Sequence, residues 1–191
     1  MKIGLFFGSF NPVHVGHMVL ANYMLEFTDM ERLWFIVSPH NPHKQKSSLL
    51  NERDRLHLVN LAIGDNIKMK ASDIEFGLPQ PSYTINTLAY LEEKYPEHTF
   101  VLIMGADNLE TFHKWKNYDQ ILERFELYVY PRPGHPAVDM MKHPRVKLVN
   151  APLMEISSTF LRNAIKNKTD VAAFFPEAVW KYTREMHFYE K

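Results

Sequence analysis

Gly8-Ser9-Phe10-Asn11-Pro12-Val13-His14-Val15-Gly16-His17 follows directly on the apolar run Ile3-Gly4-Leu5-Phe6-Phe7. A short apolar run that ends in a glycine-containing turn reads as a buried strand, and the helical period from Val15 onward reads as the helix after it. Strand, turn and helix in this order open an α/β sheet, which places its ligands at the carboxyl ends of its strands. Gly8 and Ser9 let the backbone turn tightly and approach a ligand. The helix start behind them offers unpaired amide donors to an anion, and phosphate suits such a place. His14 and His17 are three apart, so both rings fall on one face of that helix start. Each can donate a hydrogen bond to a phosphoryl oxygen, and a cationic ring also offsets charge that develops during transfer. Gly16 leaves room between them.

The alternation continues along the chain. Apolar runs at Ile3 to Phe7, Leu33 to Val37, Ile67 to Ile74, Phe100 to Met104, Leu127 to Tyr130 and Val146 to Val149 read as strands. Helical periods span Val15 to Phe27, Glu52 to Ile63, Thr84 to Lys94 and Tyr118 to Arg124, and the tail from Ile156 reads as helices, with Pro176 opening the last at its first turn. This pattern predicts a Rossmann-like, doubly wound, mainly parallel sheet with helices on both faces and a small C-terminal helical part at about 157–191. With no linker and no repeat in view, one domain is expected over 1–191. The polar loop Ser38 to Leu50, rich in Pro, Asn, His, Lys and Ser, is too long for a plain connection and reads as a binding loop.

Bulk properties narrow the function. The 191 residues are 46% apolar and 23% charged, as in a globular protein with a full core. Lys plus Arg equals Asp plus Glu at 22 each, which argues against duplex nucleic acid as a partner, since that demands a broad basic surface. There is no cysteine, so disulfides and thiolate metal sites are excluded. Paired histidines favour zinc, but no third ligand is evident near them. No apolar stretch approaches membrane-spanning length, and Met1-Lys2 runs straight into the first apolar run with no secretory core. A cytoplasmic protein without a membrane partner is expected.

Two histidines near a helix start are, taken alone, more often caps or surface residues; strand, glycine turn, Pro12 and both histidines together are not. The order Gly-x-Phe-x-Pro-x-His-x-Gly-His resembles the signature of the His-x-Gly-His nucleotidylyltransferase superfamily. That resemblance implies a Rossmann-like fold and transfer of a nucleotidyl group from a nucleoside triphosphate with release of pyrophosphate. Ile156-Ser157-Ser158-Thr159-Phe160-Leu161-Arg162 puts hydroxyls before a helix and a forked guanidinium one turn on, which makes an anion site in its own right. It is similar to the superfamily's Ser-x-Thr-x-x-Arg element, which holds the outer phosphates. Gly105-Ala106-Asp107 sets a carboxylate at a strand end, where ribose hydroxyls can donate to it. In the family the corresponding Gly-x-Asp binds the adenosine half. Asn41-Pro42-His43-Lys44 resembles the Pro-Pro-His-Lys segment of the bacterial nicotinate mononucleotide branch, with Asn41 replacing the first proline; the resemblance implies that Lys44 reaches the reacting phosphates. Tyr130-Pro131-Arg132-Pro133-Gly134 matches the family's Arg-Pro-Gly turn near the nucleotide.

Two further segments bear on the acceptor. Pro81-Ser82-Tyr83-Thr84-Ile85-Asn86-Thr87-Leu88 has the Ser-Tyr-Thr-x-x-Thr-Leu form of that branch and opens a helix whose first amides suit a carboxylate. Phe112-His113-Lys114-Trp115-Lys116-Asn117-Tyr118 resembles its tryptophan segment, in which the indole stacks on the pyridine ring. The chain is therefore identified as a member of the nicotinate mononucleotide adenylyltransferases. The resemblance implies adenylyl transfer from ATP to nicotinate mononucleotide, giving deamido-NAD and pyrophosphate in NAD biosynthesis. It implies His14, His17, Lys44 and Arg162 around the reacting phosphates, and Gly8, Ser9, Phe10, Gly105, Asp107, Arg132, Ser157, Ser158 and Thr159 around ATP. Tyr83, Thr84, Trp115 and Lys116 would meet the acceptor. Mg²⁺ would arrive with ATP, with no metal ligand from the protein. The alternatives are the amidated mononucleotide as acceptor, alone or beside the acid, and a non-catalytic nucleotide-binding regulator on the same fold. Homo-oligomerisation is left open.

Overall fold

A computed structural model of the chain describes residues 1–39, 49–135 and 139–191. Six strands, β1 (Lys2–Gly8), β2 (Arg32–Val37), β3 (Met69–Ser72), β4 (Thr99–Gly105), β5 (Glu126–Tyr130) and β6 (Val146–Leu148), form one sheet in the order β3-β2-β1-β4-β5-β6. Every neighbouring pair is parallel, so the sheet is wholly rather than mainly so. Among the described residues, seven α-helices accompany it: α1 (Val15–Phe27), α2 (Glu52–Ile63), α3 (Thr84–Lys94), α4 (Ala106–Glu110), α5 (Tyr118–Arg124), α6 (Ser158–Lys166) and α7 (Glu177–Glu185).

Successive strand residues point to opposite faces, and two cores result. Phe6, Phe35, Val37, Val101, Ile103 and Tyr128 pack beneath Leu20 and Met24 of α1, Leu58 of α2, Leu161 of α6 and Val179 of α7. Leu5, Trp34, Ile36, Leu102, Met104 and Val129 pack on the other face with Leu88 and Leu91 of α3 and Ile121 of α5. Because both faces are covered, the strands read as unbroken apolar runs. The C-terminal helices are thereby part of the first core, and His57 of α2 meets Tyr182 of α7 ring to ring at 4.6 Å.

Three local expectations change. β3 is shorter than the run Ile67 to Ile74, because Ile67 is exposed in the turn before it and Ile74 begins a 3₁₀ turn, Ile74–Gly77. Pro176 is the cap before α7 rather than a residue of its first turn. α4 is a single short helix after β4 that no periodicity announced.

In this strand order the connections reverse direction between β1 and β4. Chain leaving these two neighbours diverges to opposite faces, and the crevice between them is where an open α/β sheet takes a ligand. Gly8 closes β1 and Gly105 closes β4, so the two glycine turns singled out in the sequence stand side by side at that crevice.

Candidate active site

The turn after β1 is built from beneath. Phe10 has a positive φ of 45°, and its ring is buried against Phe35 (5.4 Å) and His17 (5.2 Å). A Cβ at Gly8 would stand 2.8 Å from that ring, which is why a glycine is needed there. Phe10 can therefore offer a ligand its backbone but not its aromatic face.

His14 caps α1 in extended conformation, and its backbone N–H donates to Nδ1 of His17 at 3.3 Å. With Nδ1 occupied as an acceptor, the ring proton of His17 belongs on Nε2. The two rings lie 3.8 Å apart, and a Cβ at Gly16 would come within 3.0 Å of His14 Cε1 and Nδ1. His14 is 4% exposed, and its Nδ1 has no hydrogen-bond partner among the described residues. Burial, reinforced by the charge of Arg132, pushes its pKa down to about 4, so in the free protein His14 is neutral. The cationic role available to a histidine in the sequence is not that of His14 without a bound anion.

The second phosphate motif docks on the first. Ser157 caps α6 by accepting from the Phe160 amide at 3.1 Å, and Ser158 Oγ donates to the Pro12 carbonyl at 3.0 Å. Arg162, the fifth residue of α6, donates one terminal nitrogen to the Asn11 carbonyl at 2.7 Å and the other to Thr159 Oγ1 at 3.2 Å. Two motifs about 150 positions apart thus share one loop. On the far side of the crevice, Asp107 Oδ1 lies 3.5 Å from Arg132 Nε. The space for both comes from Gly105, where a Cβ would stand 2.3 Å from Asp107 Oδ1 and 2.9 Å from Arg132 Cγ. Arg132 thus belongs to the His14 neighbourhood as well as to Asp107.

The acceptor segments also meet. Tyr83 caps α3, Thr84 is its first residue, and Lys116 places its ammonium 4.4 Å from the centre of the Tyr83 ring. Trp115 is partly buried against Phe112 at 5.2 Å, leaving the rest of the indole accessible. Lys44, with Asn41, Pro42 and His43, lies outside the described residues.

Three residues with no sequence motif organise this end of the sheet. Arg55 has no exposed surface and donates to four carbonyls: Leu50 (2.9 Å), Ser9 (2.6 Å), Ser38 (2.8 Å) and Pro39 (2.9 Å). It joins the exits of β1 and β2 to the start of α2. Tyr189, near the C-terminus, donates to Asn11 Oδ1 at 2.8 Å, which also accepts the Leu50 amide at 3.2 Å. Glu75, 2% exposed, accepts from Thr87 Oγ1 at 2.8 Å and Ser82 Oγ at 3.1 Å. No local spacing in the sequence marks any of the three, because each is defined by partners distant along the chain.

The described donors around the crevice are histidine, arginine, hydroxyl and amide groups, which suit phosphate oxygens. Among the described residues no group of three or more His, Asp or Glu side chains is arranged around a common metal position.

Residues 5–164 match the model of the cytidylyltransferase-like family. A relative from Flavobacterium johnsoniae named "probable nicotinate-nucleotide adenylyltransferase" is 53% identical across the whole of both chains. One of the same name from Cytophaga hutchinsonii is 55% identical over 90% of this chain and 89% of its own. Among solved structures, the Plasmodium falciparum nicotinic acid mononucleotide adenylyltransferase complexed with NaAD superposes with a TM-score of 0.80. It covers 99% of this chain and 97% of its own at 16% identity, a likeness of fold.

Proposed function

The chain belongs to the nicotinate-nucleotide adenylyltransferase family, and from that premise we propose a reaction in which ATP adenylylates nicotinate mononucleotide. A phosphate oxygen of the mononucleotide attacks the α-phosphorus of ATP. The bond from that phosphorus to the β-phosphate oxygen breaks, pyrophosphate leaves, and nicotinate adenine dinucleotide remains. The observation that supports this most is the histidine pair at the start of α1, with Arg162 held across the same loop on the Asn11 carbonyl.

No protein nucleophile is required, so the chain contributes position and charge. His17 Nε2–H donates to an α-phosphate oxygen, where charge grows as the reaction proceeds. His14 enters neutral and donates likewise; the field of a bound triphosphate favours its protonation, opposite to the field of Arg132. Arg162, Ser157, Ser158 and Thr159 receive the outer phosphates, and Lys44 adds a further cation to the reacting phosphates. The amides of Gly8 and Ser9 and the Phe10 backbone line the nucleotide. Asp107 takes the ribose hydroxyls, with Gly105 and Arg132 shaping its place. Trp115 stacks on the pyridine ring, while Tyr83, Thr84 and Lys116 surround its carboxylate.

The family's chemistry proceeds with a divalent metal on the nucleotide, and the donor set here fits one carried by the triphosphate as Mg²⁺, whose charge lessens repulsion between acceptor and donor phosphates. No described helix is long and apolar enough to cross a membrane. A biosynthetic role with two small-molecule substrates supports a cytoplasmic location.

The test is to supply ATP, Mg²⁺ and nicotinate mononucleotide and to identify products by mass. Dinucleotide and pyrophosphate in equal amounts are expected. ATP binding without either product would make the chain a nucleotide-binding regulator instead.

A further inference from the structure

The segment that leads into α3 is organised around one buried carboxylate. Glu75 sits in the 3₁₀ turn Ile74–Gly77, directly after β3. Its Oε1 accepts from Thr87 Oγ1 at 2.8 Å and its Oε2 from Ser82 Oγ at 3.1 Å. Burial raises the pKa of the Glu75 carboxyl, and the hydroxyls of Thr87, Ser38 and Ser82 oppose the rise. Its backbone participates too, because Gln80 Nε2 donates to the carbonyls of Glu75 and Leu78, both at 3.1 Å. Among the described residues no lysine, arginine or histidine pairs with it, so hydroxyl groups alone replace the water lost on burial.

The position of these partners gives the arrangement a consequence. Ser82 immediately precedes the Tyr83 cap of α3, and Thr87, with no exposed surface, is the fourth residue of that helix. One carboxylate therefore grips the chain on both sides of Tyr83 and Thr84 and sets the angle at which it enters the helix. Such a grip directs the first-turn amides and the Tyr83 ring, which carries the Lys116 ammonium 4.4 Å from its centre. Ser38, at the exit of β2, is itself held through its carbonyl by Arg55 at 2.8 Å. Among the described residues Glu75 itself bonds to no residue assigned to ATP; the Ser9 carbonyl on that side is held by Arg55 at 2.6 Å.

We propose that Glu75 is a positioning residue for the acceptor subsite: through Ser82 and Thr87 it holds Tyr83, Thr84 and the α3 amides where the pyridine carboxylate binds, without touching substrate. This rests on the acceptor assignment made above. It predicts a change confined to one of the two substrates, which loss of general packing would not give.

The experiment measures kcat, the KM for ATP, the KM for nicotinate mononucleotide and the melting temperature of Glu75→Gln, Ser82→Ala, Thr87→Val and Thr87→Ser. Glu75→Gln presents an amide to partners that now donate, and the acceptor KM rises about tenfold, in keeping with a broken buried hydrogen-bond set. Ser82→Ala and Thr87→Val raise it roughly threefold each, Thr87→Ser retains the hydroxyl and leaves it unchanged, and the ATP KM stays within about twofold throughout. Because Ser82 is only partly buried, Ser82→Ala keeps the test alive where Glu75→Gln does not fold. Folded variants with an unchanged acceptor KM, or with both KM values raised alike, overturn the proposal. The unaltered chain separates the two levels: turnover of nicotinate mononucleotide with insensitive variants removes the role of Glu75 alone, whereas no turnover removes the acceptor assignment as well.

Discussion

The two halves of the crevice are built differently. On the phosphate side the described groups are fixed before any ligand arrives: His14 is buried, the Phe10 ring is locked in the core, and Arg162 and Ser158 are bonded to the backbone of residues 11 and 12. On the acceptor side Tyr83 is 39% exposed, Lys116 is held by its contact with a ring, and Trp115 is only partly covered. Electrostatic stabilisation of a transition state requires donors that need not reorganise, since their reorganisation would be subtracted from the rate. Selection of a flat aromatic acceptor needs a surface to stack on and a few aimed amides, and tolerates later adjustment. This difference in construction supports the proposed division, with turnover in the first half and choice of substrate in the second.

Substitutions that separate the halves test this, and the largest effect belongs to the first. His17→Ala removes one preorganised donor and should lower kcat about a hundredfold to a thousandfold, or about 2.7 to 4 kcal/mol, with the KM values little changed. Steady-state kinetics on the folded variant measures it; an altered KM with normal kcat would place His17 in ground-state binding instead. Arg162→Ala comes next. It deletes a charged donor and releases the Asn11 carbonyl, so a loss of about 1.5 to 3 kcal/mol in kcat/KM for ATP is expected. Trp115→Ala should act on the other half, raising the acceptor KM by about tenfold through loss of ring stacking, with the ATP KM unchanged. Titration of the acceptor at saturating ATP distinguishes the two.

The smallest effect is on stability. The pKa of His14 falls from 6.5 to about 4 on folding, so between these values the unfolded chain binds a proton that the folded chain does not. Stability therefore falls as the pH is lowered through this window and levels off below about 4. His14→Gln removes that contribution, and the gap between the two denaturation curves should narrow by about 1 to 2 kcal/mol on going from neutral pH to about pH 5. A gap that does not depend on pH would mean that His14 titrates normally. Because ATP brings negative charge to the same ring, bound ATP should oppose the shift.

How much of this could be read in the sequence follows the same division. The strands and helices were legible because burial left its mark within a few residues of chain: an unbroken apolar run in β2, which is covered on both faces, and a period of about 3.6 in α1. The failures fell where that signal is shortest: Ile67 is apolar yet exposed, and α4 has five residues. The phosphate half was legible because its chemistry is carried by contiguous motifs, His14 to His17 and Ser157 to Arg162. That the two share a loop was not, since the bond from Arg162 to Asn11 spans 151 positions. Arg55, Tyr189 and Glu75 were invisible for a related reason. Each is defined by partners scattered along the chain, and no local spacing distinguishes a buried charged or phenolic side chain from one on the surface. The fate of the Phe10 ring was likewise a matter of packing, decided by Phe35 and His17.

The most direct measurement is a competition. Nicotinate mononucleotide and its amide share every phosphate and differ only in the ring substituent, so supplying both at equal concentration with ATP and Mg²⁺ cancels the phosphate half and reads the acceptor half alone. The ratio of the two dinucleotides formed at early times equals the ratio of kcat/KM values. A subsite that presents amide donors and the Lys116 ammonium favours the acid, since the carboxamide sets its own N–H groups against them. An excess of the acid dinucleotide of about tenfold or more is expected, a difference of about 1.4 kcal/mol. Equal amounts of the two products would contradict it.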